Sequence, residues 1–369
     1  MEMKELLEEM VKLDASDIYL TVDYPPAFRV EGKTSPGPYD VLTSEAVEKL
    51  AFSILSEKQK ITFPNEKEMN LALHFPSLGR FRVNMFYQRD NIGIVIRQIK
   101  LDIPTIDDLE LPQILKDLIM TKRGLVLVVG GTGSGKSTSQ ASMIDYRNTK
   151  AQGHIITVED PIEYVHQHKM SIITQREVGL DTHTFGHALK NTLRQAPDVI
   201  LVGEIRDMET MEATITFAET GHLCMATLHS NNSNQAIERI INFFPAERHE
   251  QVYLLLSLNV RAIISQRLIP TIEGKRVAAF EILIGTPRVK DLLLKAEIET
   301  LKETMEKGGQ EGMQTFDQSI FSLYKAEKIN YENALAYADS TNNVRLRIKT
   351  ENLEPGDKQM VSPSFKLKK

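Results

Sequence analysis

Residues 130–137 read GGTGSGKS and fit the phosphate-binding loop pattern G-x-x-x-x-G-K-[ST]. An apolar run, residues 125–129, directly precedes this stretch and a helical pattern follows it, as the pattern requires. In this pattern the glycines let the backbone wrap around a phosphate, so that amide N–H groups and the N-terminus of the following helix face the anion. Lys136 reaches the β and γ phosphates, and the Ser137 hydroxyl binds Mg²⁺. We therefore expect a bound nucleotide that is contacted by Gly131, Thr132, Gly133, Ser134, Gly135, Lys136, Ser137 and Thr138.

Around this loop, four short apolar runs alternate with helical patterns. They cover residues 125–129, 154–158, 199–202 and 223–228. Near-continuous apolar runs are typical of parallel strands that helices cover on both faces. The pattern therefore predicts an α/β domain over residues 113–285.

Polar clusters stand at the ends of the other three runs, and ligands of open parallel sheets bind at the carboxyl ends of strands. Residues 159–163 offer three carboxylates, and Gly203 stands where most phosphate-loop enzymes carry the aspartate that holds Mg²⁺. We therefore expect Glu204, or the preceding cluster, to supply the carboxylate for the metal. The polar groups that bracket the fourth run, residues 220–222 and 227–229, could sense the γ-phosphate. Any one of these residues alone would more often be a solvated charge or a satisfied histidine.

The chain before the loop reads as a small α+β domain over residues 1–100, followed by a linker, 101–112. Its clearest element is a strand pair, residues 80–87 and 92–99. In the first strand of the pair, apolar and polar residues alternate, so the apolar side chains point inward and Arg80 and Arg82 point outward. Two further regions follow the α/β domain. We expect a helical region, 286–344, with one amphipathic helix over 287–307.

Residues 345–369 carry seven basic and three acidic residues, and this composition predicts a flexible basic tail.

Composition narrows the class of protein. The formal net charge of −6 and a pI near 5.9 argue against nucleic acid as the main partner. The single cysteine, Cys224, excludes a disulfide framework and a cysteine-rich zinc site. The sequence shows neither an apolar run of about 18 residues nor a secretory signal, so we expect a cytoplasmic protein.

Four of these segments together resemble the signature motifs of the secretion ATPase superfamily. The phosphate loop corresponds to its Walker A motif, ITVEDPIEY (156–164) to its Asp box, DVILVGEIRD (198–207) to its Walker B motif and AETGHLCMATLHS (218–230) to its His box. Within the superfamily the chain is most similar to the type IV pilus retraction ATPases, over about residues 1–338. Further segments support that similarity: GRFRVN (79–84), IISQRL (263–268), EILIGTP (281–287) and GMQTFD (312–317).

This resemblance implies a PAS-like N-terminal domain joined to a RecA-like P-loop ATPase domain, assembled as a hexameric ring with ATP and Mg²⁺ between subunits. It implies pilus retraction as the function, with the inner-membrane platform protein and the principal retraction ATPase paralogue as partners and a peripheral position at the inner membrane. By the same resemblance Glu163 is the general base, and Glu204 is the Walker B carboxylate. The other residues that it assigns to the site are His222, His229 and the arginines Arg80, Arg82 and Arg97.

Two features place the chain within these ATPases. Extension ATPases usually carry a four-cysteine zinc module, which a chain with one cysteine does not have. Residues 288–295 read RVKDLLLK where retraction motors usually carry AIRNLIRE, so the chain resembles the accessory retraction paralogue more than the principal motor. An alternative is therefore a nucleotide-binding accessory subunit with little turnover of its own. A RecA-like nucleic-acid translocase is a further alternative, disfavoured by the acidic pI and the lack of a basic, aromatic-rich stripe.

Overall fold

The computed structural model describes residues 1–99, 102–351 and 353, and the chain forms two compact units. The first unit comprises Met1–Ile103, Val158–His168 and Gln175–Ala188. The second comprises Pro104–Thr157, Lys169–Thr174 and the described residues from Leu189 onward. The predicted N-terminal domain thus gains two segments from within the predicted ATPase domain, and one of them carries the carboxylate cluster at 159–163.

The first unit is an α+β fold around one six-stranded antiparallel sheet, in the order β3-β2-β1-β6-β5-β4. Its helices are α1 (Met3–Lys12), α2 (Ser44–Ser53) and α3 (Glu57–Glu66). Its strands are β1 (Asp17–Leu20), β2 (Ala27–Val30), β3 (Lys33–Pro36), β4 (Glu68–Phe75), β5 (Gly79–Gln88) and β6 (Asn91–Ile99).

The predicted strand pair of this unit is confirmed as β5 and β6. Phe81, Val83 and Met85 alternate inward along β5 and are fully buried in the core. The two strands are joined by Arg89 and Asp90, both in the left-handed region with φ of 47° and 61°, as a two-residue hairpin turn requires.

The second unit contains a mixed sheet that includes the predicted strands. Its strands are β7 (Gly124–Val129), β8 (Gly153–Glu159), β9 (Ser171–Glu177), β10 (Val199–Val202), β11 (Leu223–Leu228), β12 (Val260–Pro270) and β13 (Arg276–Ile284); β8 and β9 extend into the first unit at their carboxyl ends. The strand order is β13-β12-β7-β11-β10-β8-β9. β12, β7, β11 and β10 run parallel to one another and β13 is antiparallel to β12. The α/β expectation is therefore confirmed, although β9, β12 and β13 were not predicted.

The remaining helices pack around this sheet or follow it in the chain. They are α4 (Ile114–Ile119), α5 (Lys136–Lys150), α6 (Phe185–Thr192), α7 (Met208–Glu219), α8 (Ser233–Asn242), α9 (His249–Asn259), α10 (Pro287–Leu294), α11 (Leu301–Lys307), α12 (Phe316–Lys325), α13 (Tyr331–Ala336) and α14 (Thr341–Thr350). The single helix predicted over residues 287–307 is wrong. Ala296 adopts φ of 57° and ends the helical path between α10 and α11, because a left-handed residue cannot continue an α-helix.

The tail prediction is wrong for residues 345–350, which belong to α14. Ser340 caps this helix, since its side chain accepts a hydrogen bond from Asn343 N–H. Val344 and Ile348, four residues apart and therefore on one helix face, are buried in a cluster with Phe321. Residues 354–369, the greater part of the predicted tail, lie outside the described residues.

Cys224 lies in β11, in the middle of the sheet, and has no exposed surface. Burial without a charged partner disfavours the thiolate and raises the pKa of the Cys224 thiol.

Among the described residues, no helix combines the length and the apolar character needed to span a bilayer.

Candidate nucleotide-binding site

The loop after β7 has the backbone conformation that only glycine adopts easily. Gly130, Gly133 and Gly135 have φ of 154°, 74° and 89°. A Cβ atom on Gly130 would lie 2.5 Å from Ser134 Oγ, so this position also lacks space for a side chain. By contrast, a Cβ on Gly131 or Gly133 would meet no atom within 4 Å. The loop therefore closes tightly on itself and leaves an open face that can hold a phosphate.

Lys136 is held over this loop by the loop's own carbonyl groups. Its Nζ donates to Gly130 O at 2.7 Å and to Gly131 O at 2.9 Å, and the residue is only 8% exposed. Burial lowers the pKa of Lys136, and the charge of Glu204 opposes that shift. Lys136 also begins α5, a 15-residue helix whose N-terminus adds its dipole to the same site. The cation and the helix end together favour an anion here.

The strand register places three polar clusters at one edge of the sheet. β7 and β11 pair Val129 with Leu228, and β10 and β11 pair Val202 with Ala226. The residues that follow each strand, among them Glu204 and His229, therefore leave the sheet at the edge where the phosphate loop begins.

His222 lies at the opposite edge. It precedes β11, where Leu223 pairs with Gly124, and its carbonyl accepts a hydrogen bond from Gly124 N–H at 3.0 Å. The six-residue strand, at about 3.3 Å per residue, separates His222 from the phosphate loop. The register thus argues against the predicted contact between His222 and a nucleotide bound at the loop of the same subunit.

Glu204 and His229 form the polar pair at the phosphate-loop edge. Glu204 Oε1 lies 3.2 Å from His229 Nε2, and its other oxygen accepts from Arg206 Nε at 2.7 Å. Burial and the charge of Lys136 lower the pKa of His229, against an opposing effect of Glu204. The shift favours the neutral imidazole, which can donate one hydrogen bond and accept another. Asp207, by contrast, caps α7 by accepting from the backbone of that helix.

The residues predicted to hold Mg²⁺ have the ligand chemistry and the exposure that this ion needs. Ser137 is exposed in the first turn of α5, and the Glu204 carboxylate is 18% exposed at the same sheet edge. Magnesium in nucleotide sites is usually held by one or two protein oxygens, with waters and phosphate oxygens as the other ligands. A hydroxyl and a carboxylate are therefore a sufficient protein contribution.

Two clefts adjoin the loop. The first, about 770 Å³, is lined by Gly131, Thr132, His229, Gln235, Glu238 and Arg239. The second, about 850 Å³, is lined by Gly135, Thr138, Gln266 and Leu268 together with linker residues 108–111. Sequence reasoning missed Arg239, although the spacing of residues 235, 238, 239 and 242 places them on one face of α8.

The predicted base and arginines lie in the first unit. Arg82 donates to Ile162 O at 3.3 Å, and its guanidinium lies 3.8 Å from Glu163 Oε1. Arg97 donates from Nε to the buried carboxylate of Asp17 at 2.7 Å, and this hydrogen bond raises the pKa of Arg97. The structure thus brings Arg82 to Glu163 and occupies Arg97 with an internal partner.

Arg80, two residues before Arg82 on the same face of β5, lines a smaller cleft of about 390 Å³. His74 and Asp181 are among the other residues of that cleft. Arg80 therefore remains a candidate for binding an anion, as the sequence predicted.

Comparison with known proteins relates this chain to a family over almost its whole length. The family described as type II/IV secretion system protein matches residues 2–359. The type IV pilus ATPase PilU of Pseudomonas aeruginosa is 53% identical over 350 residues, which are 95% of this chain and 92% of that protein. The retraction ATPase PilT of the same organism is 41% identical and covers 90% of this chain and 97% of that protein.

A crystal structure of the pilus retraction motor PilT with bound ADP superposes on this chain with a TM-score of 0.88 at 41% identity. The match covers 94% of this chain and 99% of the other. The chain is more similar to PilU than to PilT, which confirms the closer resemblance that residues 288–295 indicated.

Proposed function

This chain belongs to the type II/IV secretion system protein family, and we propose that it is a pilus retraction ATPase, a hexameric Mg²⁺-dependent enzyme that drives or assists the retraction of a type IV pilus. One observation carries the proposal: the glycine loop, Lys136, Glu204 and His229 meet at one sheet edge, and their chemistry suits a phosphate and a metal ion. The identity to PilU and PilT supplies the process that the hydrolysis would serve.

Each of the predicted residues has a proposed part in hydrolysis. Lys136 and the loop amides bind the β and γ phosphates, while Ser137 and Glu204 hold Mg²⁺, which neutralises phosphate charge. Glu163 positions the attacking water and takes its proton. His229 hydrogen-bonds near the γ-phosphate and responds to its presence. These groups act by positioning and by charge neutralisation, which is what phosphoryl transfer needs.

We assign the base and ribose of the nucleotide to the second cleft. Its volume of about 850 Å³ falls within the range of about 300–1,000 Å³ that is usual for ligand pockets. Thr138 and Leu268, which line this cleft together with Gly135 of the loop, offer a polar and an apolar contact. None of the three predicted arginines lines either cleft. Because Arg97 is bonded to Asp17, Arg80 and Arg82 are the better candidates to act on a neighbouring subunit's nucleotide.

The hexamer is tested by the dependence of activity on concentration. A site that needs an arginine from a neighbouring subunit cannot work in a monomer, so hydrolysis per subunit should rise with protein concentration. Phosphate release and light scattering, measured on the same samples, check this. Activity per subunit that stays flat while the mass shifts from monomer to hexamer would place every catalytic group in one chain.

The accessory-subunit alternative is favoured by one observation, the altered segment 288–295, which forms most of α10. In that case the chain would dock on the principal retraction ATPase and turn over little ATP alone. Phosphate release from this chain, from the principal motor and from their mixture separates the two functions. Stimulation that requires Lys136 in this chain supports an active subunit, and stimulation without it supports docking alone.

We further propose that the ring works in the cytoplasm, peripheral at the inner membrane, against the platform protein of the pilus. Three lysines near the end of the sequence, Lys366, Lys368 and Lys369, lie outside the described residues and offer a basic segment for an acidic partner or anionic lipid. Co-sedimentation with anionic vesicles and pull-down with the platform protein, with and without residues 354–369, test this at low and high salt.

A further inference from the structure

The segment that carries Glu163 is fastened by its backbone to β9. Glu177 Oε2 accepts a hydrogen bond from Ile162 N–H at 3.3 Å, on one side of Glu163. On the other side, Gln175 Nε2 donates to Tyr164 O at 2.9 Å. Backbone groups of the residues before and after Glu163 are therefore both bonded to side chains of one strand.

Gln175 uses both the donor and the acceptor of its amide on this segment. Besides the bond to Tyr164 O, its Nε2 donates to Glu159 Oε1 at 3.3 Å, and its Oε1 accepts from His166 N–H at 2.8 Å. A carboxylate in its place could accept but could not donate. The contacts thus require an amide at position 175, and not merely a polar side chain.

Glu177 is a carboxylate buried to 4% exposure, which proteins rarely tolerate without partners. Burial raises its pKa, whereas the hydrogen bond from Ile162 and the charges of Arg82 and Arg80 lower it. Arg82 also donates to Ile162 O, so the N–H and the C=O of Ile162 are both held by charged side chains. In contrast to this fixed backbone, the Glu163 side chain is 45% exposed.

We propose that Gln175 and Glu177, two residues apart on the same face of β9, are positioning residues that fix the backbone around Glu163 and thereby aim its carboxylate. The proposal rests on the proposed role of Glu163 as the base. A base must be held within a fraction of an ångström of its productive geometry, and a backbone that is hydrogen-bonded at both neighbouring residues provides this without covering the carboxylate.

The test uses the full-length chain and four variants. Glu177→Ala removes the acceptor for Ile162, and Gln175→Glu removes the donors while it keeps the shape. We expect kcat for ATP to fall by about 10-fold or more in both, with KM changed less than about twofold. Glu177→Gln keeps an acceptor oxygen and should stay within about threefold of the parent, as should the control Arg176→Gln on the opposite face of β9.

A second background separates positioning from a general structural role. If Gln175 and Glu177 act through Glu163, neither substitution should lower kcat further once Glu163→Gln is present. Equal losses in both backgrounds, or no loss in the parent background, would overturn the proposal.

Hydrogen exchange keeps this test independent of the proposed function. Peptides that span residues 158–166 should lose protection in Glu177→Ala and regain it in Glu177→Gln. Absence of hydrolysis by the parent chain would refute the proposed function but leave the exchange measurement decisive for the backbone ties. Unchanged protection in Glu177→Ala would overturn them.

Discussion

The phosphate loop and the segment around Glu163 hold their functional groups in opposite ways. Lys136 is bound by carbonyls five and six residues away, and its position follows from eight consecutive residues. Glu163 is oriented by side chains from elsewhere, with Arg82 about 80 residues earlier and Gln175 on a strand that follows. The first region is fixed by local sequence and the second by tertiary structure. A local motif can therefore be recognised in a sequence, whereas the residues that support a base in a loop cannot.

The largest effect is expected from a substitution in the phosphate loop, the region that is fixed by local sequence. Lys136→Ala removes the cation of the loop, and we expect ATP turnover to fall by about 10³-fold, because the lost group acts on the charge that develops in the transition state. The fold should persist, since the Lys136 ammonium is bonded to two carbonyls of the loop itself and, within the described part of the chain, not to another element of the fold. Phosphate release and circular dichroism measure the two effects, with Lys150→Ala at the other end of α5 as the control. Turnover at the parent rate would disprove the assignment of the phosphate loop.

The next effect concerns the region fixed by tertiary contacts. Glu163→Gln should lower kcat by about 10²-fold while KM for ATP changes little, because a general base acts in the transition state more than in substrate binding. Glu159→Gln should be milder, although it lies in the same segment. Steady-state kinetics of both variants check this. Equal losses would leave the base unassigned between the two carboxylates.

A third experiment sharpens the comparison by separating two arginines. Arg97→Ala leaves the buried carboxylate of Asp17 without its closest cation, and we expect the free energy of unfolding to fall by about 1–3 kcal/mol. Arg82→Ala should instead lower turnover with a smaller effect on stability, because Arg82 contacts Glu163 and the carbonyl before it. Denaturant unfolding and phosphate release on both variants measure this. Loss of turnover in Arg97→Ala at an unchanged free energy of unfolding would indicate that Arg97 takes part in the reaction.

The smallest effect is expected in α14, a second element whose position depends on tertiary contacts. Val344 is 1% exposed, and Val344→Ala should lower the free energy of unfolding by about 1–2 kcal/mol. Leu346, 64% exposed on the same helix, should be replaceable by alanine with little change. Thermal unfolding of the two variants compares them. Similar melting temperatures for Val344→Ala and the parent would show that α14 adds little to the fold.

Sequence reasoning succeeded where a pattern is contained in a few neighbouring residues. The phosphate loop, the strand pair β5 and β6 and the four buried strands each have such a pattern. It failed for α14, because seven of the ten residues of that helix are polar or charged and only the i, i+4 pair of Val344 and Ile348 marks the buried face.

Two further differences between the sequence predictions and the structure have separate causes. β9 was missed because polar Gln175 and Glu177 face inward, which only their backbone partners around Glu163 explain. The register argues against His222 contacting a nucleotide at the loop of the same subunit, because a residue before a parallel strand lies at the edge opposite the ligand; that rule needs no structure. The assignment of His222 to the nucleotide site therefore stays a prediction. The assignments of Glu163, Glu204, His229, Arg80, Arg82 and Arg97 to the reaction stay predictions until the experiments above are made.

The buried position of Cys224 has a practical consequence for measuring motion in this protein. Its thiol has no exposed surface and a raised pKa, so maleimide dyes should not react with the native chain. The parent sequence thus behaves as a cysteine-free background, since it contains no other cysteine. Cysteines introduced at exposed Lys58 in the first unit and Lys150 in the second could carry a donor and an acceptor dye. Single-molecule energy transfer would then follow the distance between the two units through each cycle of nucleotide binding and hydrolysis, without any change to the core.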